Sequence, residues 1–160
     1  DNLPIVNLDF FIVESALLLW IAVWLILGFR PRYLLFGIKA IALFIIFRAF
    51  FISLTHIGIY PTQINIGPDD AASGLYRLFT FQGNFFFSGH TGFPFLMALI
   101  FWDIKLARRL FLLLSLLFGL IMLLAHVHYS IDVFAAPFIT YGIFRITARL
   151  FPDDYKVLTA

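Results

Sequence analysis

Phe85 to Trp102 reads FFFSGHTGFPFLMALIFW, a Ser-Gly pair and a histidine leading into an apolar run of helical length. This puts His90 at the mouth of a transmembrane helix, an expensive place for an ionisable group unless it has a function there. A second polar cluster, Ala125 to Asp132 (AHVHYSID), opens the last apolar run in the same way. If the two mouths share one membrane face, two histidines and a carboxylate meet at it.

The rest of the chain agrees with a lipid solvent. Of 160 residues 62% are hydrophobic, 22 are Phe, only 12% are charged, and the mean hydropathy is +1.00. A soluble domain of this size needs more polar surface than that. One domain, residues 1–160, is the natural count. The net charge of +2 is small and scattered, with no basic run, which excludes a nucleic-acid partner. With no cysteine there is neither a disulfide framework, a thiolate metal site nor a thiol nucleophile.

The expected fold is all-α, a polytopic transmembrane helical bundle with five visible spans. The first runs from Phe10 to about Gly28 and carries Glu14; the acids before it argue against a secretory signal peptide. GFRPR turns the chain into a second span, Tyr33 to about Leu54, with Lys39 and Arg48. Residues 55–84 are the one long non-apolar stretch, the length at which a loop is usually functional or disordered. The third span is about Ser88 to Trp102, with Ser88 as N-cap. Leu106 to Ala125 and Ile131 to about Leu150 follow. The runs are too long, and too poor in two-residue alternation, for strands.

Lys and Arg in short loops set orientation. Arg30 and Arg32, then Lys105, Arg108 and Arg109, then Arg145, Arg149 and Lys156 mark one side. Five spans make that side cytoplasmic, together with the C-terminus. The N-terminus, the long loop and both histidine clusters then face the exoplasmic (periplasmic or lumenal) side, with Glu14 and Arg48 near the same level. Lys39, Arg145 and Arg149 read as inner-surface anchors, and the phenylalanine excess as lipid-facing packing.

Four residues apart, His128 and Asp132 stack on one face if the segment is helical. A carboxylate on one imidazole nitrogen fixes the tautomer and makes the other nitrogen a better base or nucleophile. His90 can give and take a proton near neutrality. Ser88 and Gly89 begin a helix whose N–H groups favour an anion, and Gly89 admits a close approach. Arg48 offers a guanidinium fork for phosphate oxygens. Glu14, His126 and Tyr129 are further candidates for contact with a headgroup. Together these groups suit phosphoryl transfer, with no cofactor and no metal required. Three histidines and an aspartate can hold zinc, but HVH spacing suits a strand or turn, and no HExxH pairing is present. A small proton- or ion-coupled carrier is the competing non-enzymatic class; it would string charges through the bundle rather than collect them at one mouth.

FSGHT before an apolar helix, followed one helical hairpin later by AHVHYSIDVFAA, resembles the paired motifs of the sphingomyelin synthase family, a branch of the type 2 phosphatidic acid phosphatase (PAP2) superfamily. Leu3-Pro4 with Asp9, and Arg48 to Pro61 (RAFFISLTHIGIYP), extend the similarity over nearly the whole chain in order. The resemblance implies a phospholipid donor, a lipid alcohol acceptor and a site on the exoplasmic side of a six-helix layout, one helix more than is visible here. By it, His128 attacks a phosphodiester and forms a phospho-histidine, Asp132 supports it, and His90 protonates the departing diacylglycerol and then activates the incoming hydroxyl. The chain departs from the wider superfamily in lacking its KxxxxxxRP signature, since Lys39 and Arg48 are too far apart and Ala49 follows. Ile121 and Met122 also stand where the superfamily has a Ser-Arg pair. Fewer cations suit a singly charged diester better than a doubly charged monoester.

Overall fold

A computed structural model of the chain describes residues 9–55 and 86–160. These form α1 (Asp9–Phe29), α2 (Pro31–Thr55), α3 (Gly89–Ile100), α4 (Lys105–Leu124), α5 (Ser130–Leu150) and α6 (Pro152–Thr159). The fold is an all-helical bundle of membrane character. Helices α2, α4 and α5 are long and apolar enough to cross a bilayer, and α1 and α3 contribute shorter apolar stretches. Leu3, Pro4, His56, Asp69, Asp70, Arg77 and the long loop lie outside the described residues.

Local chemistry explains the boundaries. Arg30 N–H donates to the Leu27 carbonyl and Tyr33 N–H to that of Arg30. Pro31 then opens α2, where a missing N–H costs nothing. At the far end Phe151 closes α5, and Pro152 with Asp153 and Asp154 opens α6 in the same way. The polar α6 has no counterpart in the five-span expectation, because a membrane-length window passes over an eight-residue helix.

The core is built where α2, α3 and α5 meet, with Phe36, Ala40 and Phe44 against Leu96, Met97, Ile143 and Phe144. Small residues allow the close approach, as at most intramembrane helix contacts. A methyl group on Gly92 would sit 2.8 Å from Thr140 Oγ1 and 3.0 Å from the Phe44 ring. On Gly119 it would meet Val133 at 3.0 Å. The phenylalanines are divided rather than uniformly lipid-facing: Phe36, Phe44, Phe87, Phe93, Phe101, Phe111, Phe118 and Phe144 are buried, whereas Phe29, Phe50, Phe134 and Phe138 are exposed. Trp20 of α1 stacks on Phe93 with ring centres 4.6 Å apart, which fixes α1 to α3.

The end of the bundle holding the α1–α2 turn is tied by charge. Arg32 donates twice to the Leu158 carbonyl, at 2.8 and 3.1 Å, and lies 3.4 Å from Asp103. Tyr33 donates to the same Asp103 carboxylate at 2.7 Å. Lys39 is paired with Asp154 of α6 and lies over the Phe151 ring, so it ties α2 to α6. Gly92→Val is expected to wedge α3 away from α2 and α5 and to lower stability by about 1–3 kcal/mol. Thermal unfolding in detergent measures it, and an unchanged midpoint would contradict this packing.

Candidate active site

The start of α5 organises the site. Tyr129 is the N-cap residue, in extended conformation, and its backbone N–H donates to Asp132 Oδ2 at 3.0 Å. The same oxygen lies 3.5 Å from His128 Nδ1. This corrects the helical stacking expected for the pair, because His128 precedes the helix. Its backbone is instead held by the turn, Val127 N–H reaching the Met122 carbonyl at 3.1 Å. One carboxylate thus caps a helix and orients an imidazole. Asp132 is wholly buried and His128 nearly so.

The start of α3 is fastened to the start of α5. Ser88 N–H donates to the backbone carbonyl of Asp132 at 3.1 Å, which brings the two motifs to the same end of the bundle. Ser88 occupies the N-cap position, but its hydroxyl makes no cap bond; it accepts from Thr91 Oγ1 at 3.2 Å instead. Thr91 is held in turn, its carbonyl accepting from Ser115 of α4 at 2.8 Å.

Arg48 enters from α2. Its Nε donates to the Phe87 carbonyl at 3.2 Å, and its guanidinium lies against Gly89, where a methyl group would be 3.1 Å from both Cζ and Nε. His90, in the first turn of α3, hydrogen-bonds with the backbone of Ile12 in α1 and presents its ring edge-on to Phe118, 6.0 Å away. It lies within electrostatic reach of both His128 and Arg48, and Arg48 acts on His128 as well. Arg48, Ser88, Gly89, His90, His128 and Asp132 are therefore neighbours, drawn from α2, the α3 start, the α4–α5 connection and the first turn of α5. Phe118 sits six residues, about 9 Å, before the end of α4, and His90 beside it is half-buried.

The other candidates are arranged differently. His126 is buried in the same turn with φ 53°, the left-handed region in which histidine is enriched among non-glycine residues. Tyr129 contributes its backbone to the cap. Glu14 lies about 200° around α1 from Ile12, the residue that meets His90; its Oε2 is buried without a hydrogen-bond partner among the described residues. Phe87, Ile12 and Thr91 were not among the candidates. The first two act through backbone atoms, which carry no sequence signal, whereas Thr91 stood in plain view in SGHT. Among the described residues no three His, Cys, Asp or Glu side chains gather closely enough to hold a metal ion.

A buried imidazole beside a carboxylate, a second imidazole and one guanidinium fit the chemistry of a phosphoryl group: a nucleophile, a proton donor and a cation for the oxygens. Residues 83–149 match the family model described as PAP2 superfamily C-terminal. The match supports membership of that superfamily and points to an enzyme acting on phosphate esters. It covers α3, α4 and α5 with His90, His128 and Asp132, while α1, Arg48 of α2 and α6 fall outside it. Neither a curated protein nor a solved structure matches the chain. Gly89→Ala is expected to push the Arg48 guanidinium aside and raise KM for phosphate esters several-fold with the bundle intact. Steady-state kinetics with a melting control measures this, and an unchanged KM would remove Arg48 from the site.

Proposed function

We propose that this protein is a membrane-embedded lipid phosphotransferase. It moves a phosphorylated headgroup, of phosphocholine or phosphoethanolamine type, from a glycerophospholipid to a lipid alcohol such as ceramide or diacylglycerol. The observation that carries the reading is the meeting of Arg48, His90, His128 and Asp132 at one end of the bundle.

In the first half-reaction the Nε2 lone pair of His128 forms a bond to phosphorus, and the bond from phosphorus to the diacylglycerol oxygen breaks. His90 delivers a proton to that oxygen, and Asp132 stabilises the charge that grows on His128. In the second, His90 takes the proton of the incoming hydroxyl, whose oxygen attacks phosphorus and releases His128. Arg48 and the N–H groups around Ser88 and Gly89 hold the phosphoryl oxygens. Glu14, His126 and Tyr129 remain candidates for headgroup contact, Glu14 the least favoured by its helical phase.

Two features support a lipid diester as substrate. Among the described residues a single guanidinium, that of Arg48, acts on the imidazoles, which suits one negative charge better than two. The half-buried position of His90, edge-on to Phe118, suits a phosphate reached from the side, through the bilayer, with its acyl chains still in lipid. The exoplasmic placement of the site and a cytoplasmic C-terminus are supported by the charge distribution: of the ten Lys and Arg among the described residues, all but Arg48 lie in the half of the bundle that holds the α1–α2 turn. Hydrolysis, with water in place of the lipid alcohol, is the second reading, and the superfamily match favours it equally.

Purified protein supplied with labelled phosphatidylcholine or phosphatidylethanolamine is expected to label added ceramide or diacylglycerol. A free phosphorylated headgroup as the sole product would overturn transfer in favour of hydrolysis. His128→Ala is expected to abolish turnover without unfolding the bundle, and chelators are expected to leave turnover unchanged; a chelator-sensitive rate would contradict the metal-free mechanism. Burial pushes the His128 imidazole below its ordinary range, with Asp132 opposing the shift. A lowered pKa keeps the nucleophile neutral further into acid. The His128 limb of the kcat/KM profile should therefore fall below the usual imidazole value of about 6.5. A limb above that value would contradict the burial.

A further inference from the structure

At the end of the bundle away from the imidazoles, every carboxylate of the described residues is engaged. Asp103 serves Arg32 and Tyr33, Asp154 serves Lys39, and Asp153 serves Lys156 at 2.9 Å. Arg145 and Arg149 of α5 are exposed and have no carboxylate partner among the described residues. They stand one turn apart, a spacing at which like charges repel and weaken a helix. An anion between them would reverse the sign of that interaction.

The same face of α5 continues as a lipid-shaped strip. Steps of four, three, four and four residues join Phe134, Phe138, Tyr141, Arg145 and Arg149 into one stripe. Phe134 is 66% exposed, Phe138 79% and Tyr141 50%. From Phe134 to Arg145 is about 16 Å along the axis, close to half the roughly 30 Å thickness of a hydrocarbon core. An acyl chain of one leaflet therefore has two aromatic rings to lie on, with a phenol above them and two guanidiniums at headgroup level.

We infer that this face of α5 binds an anionic phospholipid of the leaflet at the α1–α2 end, its phosphate held between Arg145 and Arg149 and an acyl chain along Phe138 and Phe134. A zwitterionic lipid offers the same phosphate, but its ammonium group would meet the surrounding excess of Arg and Lys. Charge complementarity thus selects a net-negative headgroup. The strip is separate from the proposed catalytic site and does not depend on it.

Native mass spectrometry of the full chain, released from nonionic detergent with equimolar phosphatidylglycerol and phosphatidylcholine, tests the inference. Phosphatidylglycerol is expected to be retained preferentially, and Arg145→Gln with Arg149→Gln to reduce that preference by about fivefold for each arginine. Lys105→Gln with Arg109→Gln, the same change in net charge on α4, is expected to leave the preference intact. The single replacements Arg145→Gln and Arg149→Gln, each at an exposed position, are each expected to reduce the preference about fivefold and supply the reading if the pair does not fold. Equal retention of both lipids, equal losses from the α4 and α5 pairs, or a lipid-free dimer covering this face would each overturn the assignment.

Discussion

A carboxylate with no exposure to solvent, at the start of a membrane helix, has to be satisfied from within the protein. Asp132 meets that demand through its own neighbours. Its side chain takes the Tyr129 N–H and faces His128, while its backbone carbonyl takes the Ser88 N–H. Three outcomes follow from one residue: α5 is capped, the imidazole of His128 is oriented, and the beginning of α3 is fastened to the beginning of α5. The other carboxylate oxygen, Oδ1, is buried without a hydrogen-bond partner among the described residues. Its charge is therefore left for neighbouring cationic character, including that which would grow on His128 during attack on phosphorus.

The rest of the bundle keeps this corner rigid. Gly92 and Gly119 let α3 pack closely on α5 and α4, and the hydroxyls of Ser115 and Thr91 tie α4 to the Ser88 turn. Arg48 comes from a helix that is fixed at its opposite end by Lys39, Arg32 and Tyr33 to α6 and to the α3–α4 turn. The two ends differ in kind. One buries His126, His128 and Asp132 with Arg48 and His90 half-buried beside them, the condition under which pairwise electrostatics are strong. The other spreads many charges at the surface, where each pair contributes little.

Much of this was legible in the residues. Long apolar runs without alternation predicted helices to within one or two residues at the start of α1, α2, α4 and α5, and SGHT and HYSID marked the two segments that the Ser88–Asp132 backbone bond joins. Three features were not legible, for physical reasons. The His128–Asp132 pair looked helical from its spacing, yet the capping bond from Tyr129 starts the helix after His128. Ser88 was rightly placed as N-cap, but its hydroxyl had a competing neighbour in Thr91. Helix α6 is short and polar, and its place is set by the Arg32 and Lys39 contacts, which join residues more than a hundred positions apart. Glu14 shows the converse limit: an acid in an apolar run is conspicuous, but helical phase decides which face receives it.

Every catalytic role proposed for the site depends on His90 and His128 facing one space at the same end of the bundle. The chain has no cysteine, so a cysteine pair reports without background. His90→Cys combined with His128→Cys, treated in membranes with a short thiol-to-thiol crosslinker, is predicted to give an internal crosslink, while His90→Cys with Asp103→Cys, at opposite ends of α3, gives none. Crosslinking of the second pair but not the first would contradict the convergence and every role built on it.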